Sequence, residues 1–268
     1  MAPNILVADS VTKFDRDPER AVIVGGSHAA VYAGYLCVKA RARAAITNDA
    51  GIGLDEAGVG GLAYAQRHGM AMAAVSAMSA RIGDGADMLM RGIISRANAL
   101  AEAVGVQIGM GCSEAATCLL AAQWPPQPAE PVAEAREVVD NGTGRRHIVV
   151  MGSFSAVLPE DAGRIVISGS HAGAPSGRTG RPIRMTLALF NDAGIGIDGA
   201  GVAGLEMLAE VGTPAAAVFA SSARIGDGGS TWRDGVISVA NRPAISLGAR
   251  VGERALDLVS RLVNNGPR

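Results

Sequence analysis

The chain has 268 residues, 49% of them hydrophobic and 18% charged, which is enough apolar content to bury one large core or two modest ones. A formal net charge of -1 without any basic run excludes an electrostatic nucleic-acid partner, because phosphate binding needs clustered Lys and Arg. No apolar stretch approaches the roughly 18 residues of a membrane span and no basic-then-apolar leader opens the sequence, so the cytoplasm is the expected compartment.

Short apolar runs bounded by Gly, Ser, Asn and Asp alternate with longer periodic segments, the pattern of an α/β fold. The first runs, at 4–8, 21–25, 44–47 and 71–76, are expected as strands. Between the second and third, 29–39 is rich in helix formers. Further helices are expected over 55–67, with Asp55 as N-cap and Gly69 as terminator, over 87–104 before Gly105, and over 112–122. Pro125, Pro126, Pro128 and Pro131 then remove backbone donors and hold the chain extended, so 126–143 reads as a linker, with a short helix at 132–139. Strands follow at 147–151, 164–168, 185–190 and 215–220, and helices at 198–211, 231–247 and 250–263, with Pro243 shortening or kinking the second of these. Gly173, Pro175, Gly177, Gly180 and Pro182 make 173–182 read as a flexible, arginine-bearing lid.

The two halves repeat. A gapless shift of 143 residues lays Gly26-Ser27-His28-Ala29 on Gly169-Ser170-His171-Ala172, and Asn48-Asp49-Ala50-Gly51-Ile52-Gly53 on Asn191-Asp192-Ala193-Gly194-Ile195-Gly196. The same shift superposes Ser79-Ala80-Arg81-Ile82-Gly83-Asp84-Gly85 on Ser222-Ala223-Arg224-Ile225-Gly226-Asp227-Gly228. A period this long is domain-sized. The expected architecture is a tandem duplication of a small, mostly parallel-sheet α/β domain with Rossmann-like layers, 1–125 and 144–268, related by a pseudo-two-fold. Cys37, Cys112 and Cys118 have no counterparts in the second half, so they read as small core residues rather than a shared disulfide or metal framework.

All three shared motifs follow a predicted strand, the edge at which ligands bind in parallel α/β sheets. The Gly-Ser-His-Ala stretch is close to a nucleophile elbow, which makes Ser27 and Ser170 candidate nucleophiles or anion binders and His28 and His171 candidate bases. The bland alternative is a turn that donates backbone amides. Asp49 and Asp192 are candidate orienters or metal ligands, because Asp55 and Asp198 look better placed as helix caps and leave them no obvious structural duty; the equal alternative is that each caps the turn that follows it, with Gly51 and Gly53 allowing the bend. Asn48 and Asn191 accompany them as substrate-binding candidates, and Arg81 and Arg224 are candidate carboxylate clamps, against which stands an internal pairing with Asp84 and Asp227. Ser95 and Asn98, like Ser238 and Asn241, recur three apart and would share a helix face. No nucleotide-cofactor motif is present. A divalent metal held by His28, Asp49 and Asp84 is an open alternative.

Persistence of Ser, His, Asn, Asp and Arg in both halves fits two equivalent sites or one composite site. The reading is an enzyme acting on a small polar or anionic metabolite, hydrolysis favoured, with a lyase or isomerase step as the alternative. A small-ligand binding or regulatory protein with 173–182 as its lid, or a structural assembly subunit, are the competing classes, and homo-oligomerisation is left open.

Overall fold

The computed structural model describes residues 4–126, 128–139 and 147–264. The linker expected over 126–143 therefore lies partly outside the described residues. The chain is α/β and divides into two compact units. Unit 1 runs to Ile52, continues over Glu56–Ala133 and includes Gly196–Ala200; unit 2 takes Gly53–Asp55, Glu134–Ile195 and the chain from Gly201.

In chain order unit 1 contains β1 (Ile5–Ala8), β2 (Val22–His28), α1 (Val31–Lys39), β3 (Ala44–Asn48), α2 (Gly60–Arg67), β4 (Ala71–Val75), α3 (Gly85–Arg91), β5 (Ile94–Ala97), α4 (Ala99–Glu102) and α5 (Cys112–Leu119). Its sheet has the order β1-β2-β3-β4-β5, parallel except for β5, which runs antiparallel to β4. The period-2 alternation of strands puts Val22, Val24, Ala73 and Val75 on one face with Met88 and Leu119, and Ile23, Met72 and Ala74 on the other with Leu62 and Tyr64. The helices therefore cover both faces. Where α1 crosses α2, a Cβ on Gly34 would lie 2.8 Å from the Gly61 carbonyl oxygen, so glycine at the crossing sets how closely the helices pack.

Unit 2 contains β6 (Arg136–Val139), β7 (Ile148–Met151), β8 (Ile165–His171), α6 (Ala174–Gly180), β9 (Leu187–Asn191), α7 (Gly204–Glu210), β10 (Ala215–Val218), α8 (Gly228–Arg233), β11 (Ile237–Ala240), α9 (Arg242–Ser246) and α10 (Ala255–Asn264). The order is β11-β10-β9-β8-β7-β6, with both edge strands antiparallel to their neighbours and the rest parallel. Ile165, Ile167 and Leu189 face Leu258 and Leu262, and Val166, Ala188 and Phe190 face Leu205 and Phe154.

Several expected elements are corrected. The single helix at 87–104 is α3, β5 and α4, because the chain turns at Gly92, where a Cβ would lie 2.4 Å from the Met88 carbonyl oxygen, and enters a strand at Ile94. The helix at 231–247 divides the same way, and Pro243 opens α9 in its first turn rather than shortening a longer helix. The lid at 173–182 is helix α6, which starts with Pro175 in its first turn and packs Gly177 against Gly204, a Cβ there lying 2.7 Å from the Gly204 Cα. Close backbone packing, which local propensity cannot report, overrides the breaker composition. The short helix at 132–139 is instead β6 over its last four residues, where Val138 and Val139 pair with β7. Asp55 and Asp198 cap no helix: both take left-handed backbone, at φ 53 and 57. Among the described residues no helix is long and apolar enough to cross a membrane.

Candidate functional site

Ser27 and His28 lie inside β2, not after it, and Ser170 and His171 lie inside β8. The register slips between Val24 and His28 and between Ile167 and His171, so that His28 pairs with Asn48 and His171 with Asn191. This bulge re-aims the strand end. It also needs glycine: a Cβ on Gly26 would sit 2.6 Å from the Asp84 amide nitrogen and the Asp9 carbonyl oxygen, and one on Gly169 would sit 2.3 Å from the Asp227 nitrogen. The Gly26 carbonyl in turn accepts the Gly83 N–H, and the Gly169 carbonyl the Gly226 N–H, both at 2.8 Å.

Neither serine takes the strained turn of a nucleophile elbow; both remain in extended strand. The Ser27 Oγ accepts the Val11 N–H at 3.0 Å and meets the Ser10 Oγ at 3.3 Å, and the Ser170 Oγ accepts the Phe154 N–H at 2.9 Å. The imidazoles look to the backbone that follows them. His28 Nδ1 accepts the Ala30 N–H at 3.4 Å and His171 Nδ1 accepts the Gly173 N–H at 3.1 Å, which places the proton of a neutral ring on Nε2. Burial lowers the His28 pKa to about 4, so the ring is neutral at pH 7.

Asn48 and Asp49 bind the other two motifs together. Asn48 donates to the Ala80 carbonyl at 3.3 Å and accepts the Ala50 N–H at 2.9 Å. Asp49 Oδ1 accepts the Gly51 and Ala77 N–H groups, each at 2.9 Å, and its Oδ2 accepts the Ser95 hydroxyl at 2.7 Å. In unit 2 Asn191 bonds Ala223 and Ala193, and Asp192 Oδ1 accepts from Gly194 and Ala220 at 2.9 and 2.8 Å. Both aspartates thus cap the turn that follows them, the structural alternative the sequence offers, and also reach backbone 28 residues further along the chain. Ser238 donates to the Ala217 carbonyl at 3.2 Å rather than to Asp192.

The segment each carboxylate pins is strained. Ala50, Gly51, Ile52 and Gly53 have φ of 50, 71, 65 and 72°, and Ala193, Gly194, Ile195 and Gly196 repeat this at 50, 70, 64 and 71°. Left-handed backbone at a β-branched isoleucine is a steric outlier. It persists here because the side chains of Asn48 and Asp49, and of Asn191 and Asp192, hold the turn from within.

Arg81 is engaged internally. Its amide and guanidinium both bond Asp87, at 2.8 Å each, and the guanidinium lies 3.3 Å from Asp84 and 3.6 Å from Asp198. Burial alone would raise the Asp87 carboxyl, but hydrogen bonds from the Arg81 amide and the Arg91 side chain, with the charges of both arginines, hold it below the ordinary carboxylate range. Arg224 reaches Asp55 at 2.5 Å and Asp234 at 3.8 Å, and its amide bonds the Ser230 hydroxyl at 3.1 Å. Asp84 and Asp227 are the helix N-caps, accepting from the Asp87 and Ser230 amides at 2.9 Å.

The sequence does not mark Asp87 and Arg91, nor the partner of Ser95. Recurrence of Ser95 as Ser238 was visible, but assigning it to a helix hid its reach to Asp49 from β5. The signal for the charge cluster was compensating change, since the shift that superposes the halves puts Ser230 opposite Asp87 and Asp234 opposite Arg91. Asn98 and Asn241 are fully used in structure: Asn98 ties Met72 and Ala101 amides to Leu62 and Met70 carbonyls, and Asn241 does the same for Ala215, Ala244, Leu205 and Thr213. His28, Asp49 and Asp84 do not form a metal cluster, and among the described residues no group of three His, Cys, Asp or Glu side chains does. No known family, curated protein or solved structure matches the chain.

Proposed function

We propose that the chain is an enzyme acting on a small polar or anionic metabolite at the C-terminal strand ends, with hydrolysis as the favoured reaction and a lyase or isomerase step as the alternative. The observation that carries this reading is the left-handed run after Asp49 and again after Asp192. Backbone strain of this kind costs on the order of 1–3 kcal/mol per residue and clusters at functional sites. It lies at the sheet edge where the bulged Ser-His stretch also ends, the edge at which parallel α/β sheets bind ligands.

In this reading Asp49 and Asp192 hold the turn and supply the buried carboxylate, and Asn48 and Asn191 fix its orientation. The imidazoles of His28 and His171 act as donors through Nε2, and for His28 this role suits its low pKa better than that of a base at pH 7. Ser27 and Ser170 bind the anion and do not attack it, since their oxygens accept backbone N–H groups. Arg81 and Arg224 add positive charge while remaining paired. The matching motifs favour a tandem duplication; a small-molecule partner, a cytoplasmic location and homo-oligomerisation are further proposals.

Incubating the protein with a panel of small carboxylate esters, amides, lactones and phosphate esters, followed by proton NMR, tests the reading. Turnover should appear for at least one class and fall at least about tenfold in Ser170→Ala, His171→Ala and Asp192→Ala. Unchanged turnover in all three variants removes it. The engagement of both serines with backbone amides specifically favours the second reading, ligand binding without turnover; thermal stabilisation by a panel member that is returned unaltered would select it.

A further inference from the structure

We propose that residues 128–133 form a strap on unit 1 that is released when His68 is protonated. His68 ends α2 and is buried, with 4% of its surface exposed. Its Nδ1 lies 2.9 Å from the Tyr64 carbonyl oxygen, which can only accept, so Nδ1 carries the proton. Its Nε2 accepts the Glu130 N–H at 3.2 Å. Only one state of the ring, neutral with hydrogen on Nδ1, satisfies both bonds. A second proton on Nε2 would set that N–H against the Glu130 N–H, donor to donor, in a site closed to water.

The strap has few other holds, so this bond matters. The Tyr64 hydroxyl donates to the Glu130 carbonyl at 2.5 Å, and the His68 ring stacks on Tyr64 with centroids 4.3 Å apart. Ala129 and Val132 pack against the α1–α2 side of the sheet, and Pro126 covers Gly69. Around His68 the titratable and charged groups are Tyr64 and Arg67 from α2, Glu130 from the strap, and Tyr35 and Lys39 of α1, stacked beyond Tyr64. Burial, before any neighbouring charge, raises the Tyr64 pKa, so the phenol stays protonated and cannot take over the switching. Glu130 is exposed and offers its backbone, not its carboxylate, to the ring. The one group here whose protonation would turn a strap hydrogen bond into a clash of two donors is His68.

Hydrogen exchange at the Glu130 amide, corrected for the intrinsic pH dependence, tests this on the full chain. Protection should fall about tenfold or more between about pH 7.5 and about pH 5, the size of one lost buried hydrogen bond, while strand amides in β3 and β4 stay protected. His68→Gln, which can donate to Tyr64 and accept from Glu130 but does not titrate in this range, should show protection independent of pH. If that variant does not fold, Tyr64→Phe serves: it should begin with a looser strap and keep the pH dependence. Wild-type protection unchanged over this range, His68→Gln retaining the loss, or Tyr64→Phe losing the dependence would each overturn the proposal. It is independent of any catalytic reading.

Discussion

The Arg91 guanidinium bonds the Asp198 carboxylate at 2.7 Å, with its Nε bonded to Asp87 at 2.9 Å. These two bonds lie within unit 1, to which Gly196–Ala200 belongs. Their environments differ, since the side chain of Asp87 is 2% exposed and that of Asp198 is 50% exposed. The segment is also held by the Ile197 N–H, bonded to the Ala77 carbonyl at 2.8 Å, while the Ala77 N–H bonds Asp49. One residue, Ala77, therefore links the strand-end carboxylate to this segment through its two flanking peptide groups.

Burial decides what breaking each bond costs. Arg91→Ala leaves a buried Asp87 with Arg81 as its remaining cation and should lower the urea midpoint more than a change at Asp198 does. Asp198→Asn removes an exposed charge and should cost less than about 1 kcal/mol. Urea unfolding of the two variants checks the order, and an equal or reversed cost would show that the buried carboxylate is not what Arg91 stabilises.

Asp49 and Ser95 should be strongly coupled. A hydrogen bond to a buried carboxylate is worth about 1.5–3 kcal/mol, and the Ser95 hydroxyl is the only donor to Asp49 Oδ2 among the described residues. Ser238→Ala loses a neutral bond to the Ala217 carbonyl and should cost about 0.5–1.5 kcal/mol. A double-mutant cycle on Ser95→Ala and Asp49→Asn that returns no coupling energy would contradict the geometry.

The strands at the eight apolar runs and their mostly parallel pairing follow from local sequence, because each run is short and bounded by turn formers; the antiparallel β5, β6 and β11 fall in segments that read locally as helix. What escaped depends on partners far along the chain. The turn that Asp49 caps is legible locally, but its other donors, Ala77 and Ser95, are 28 and 46 residues away. Helix α6 looked like a loop because Gly177 and Gly180 break isolated helices, whereas here they admit Gly204 and Leu208. Nothing local distinguishes a continuous helix at 87–104 from one broken at Gly92; the antiparallel pairing of β5 with β4 decides it.

His28 makes stability depend on pH. Its folded pKa, about 4, lies below the ordinary 6.5 of an unfolded imidazole, so between these values the unfolded chain binds more protons. The contribution is fully present above pH 6.5 and is lost as pH falls toward 4, each unit of the gap being worth about 1.4 kcal/mol. Replacing His28 with Asn, whose side-chain oxygen can still accept the Ala30 N–H, should flatten stability over that window. Chemical denaturation at a series of pH values measures it directly. An NMR titration of the His28 ring with a midpoint near 6.5 would remove the basis of the prediction.

Relieving strain separates its structural cost from its use. Ile195 sits at φ 64° with its side chain 41% exposed, so Ile195→Gly gives up little burial. Glycine takes this conformation freely, recovering roughly 1–2 kcal/mol against about 0.5–1 kcal/mol of extra unfolded-state entropy. The variant should therefore be as stable as the parent or up to about 1 kcal/mol more so, as read by urea unfolding. If the run serves only packing, ligand binding and turnover should follow stability and hold or improve. If the run is kept for function, they should fall while stability holds, the trade-off expected where a strained segment presents its backbone to a ligand. A loss of stability in Ile195→Gly would mean that the isoleucine is held by contacts worth more than the strain, and the left-handed run would then be a consequence of packing.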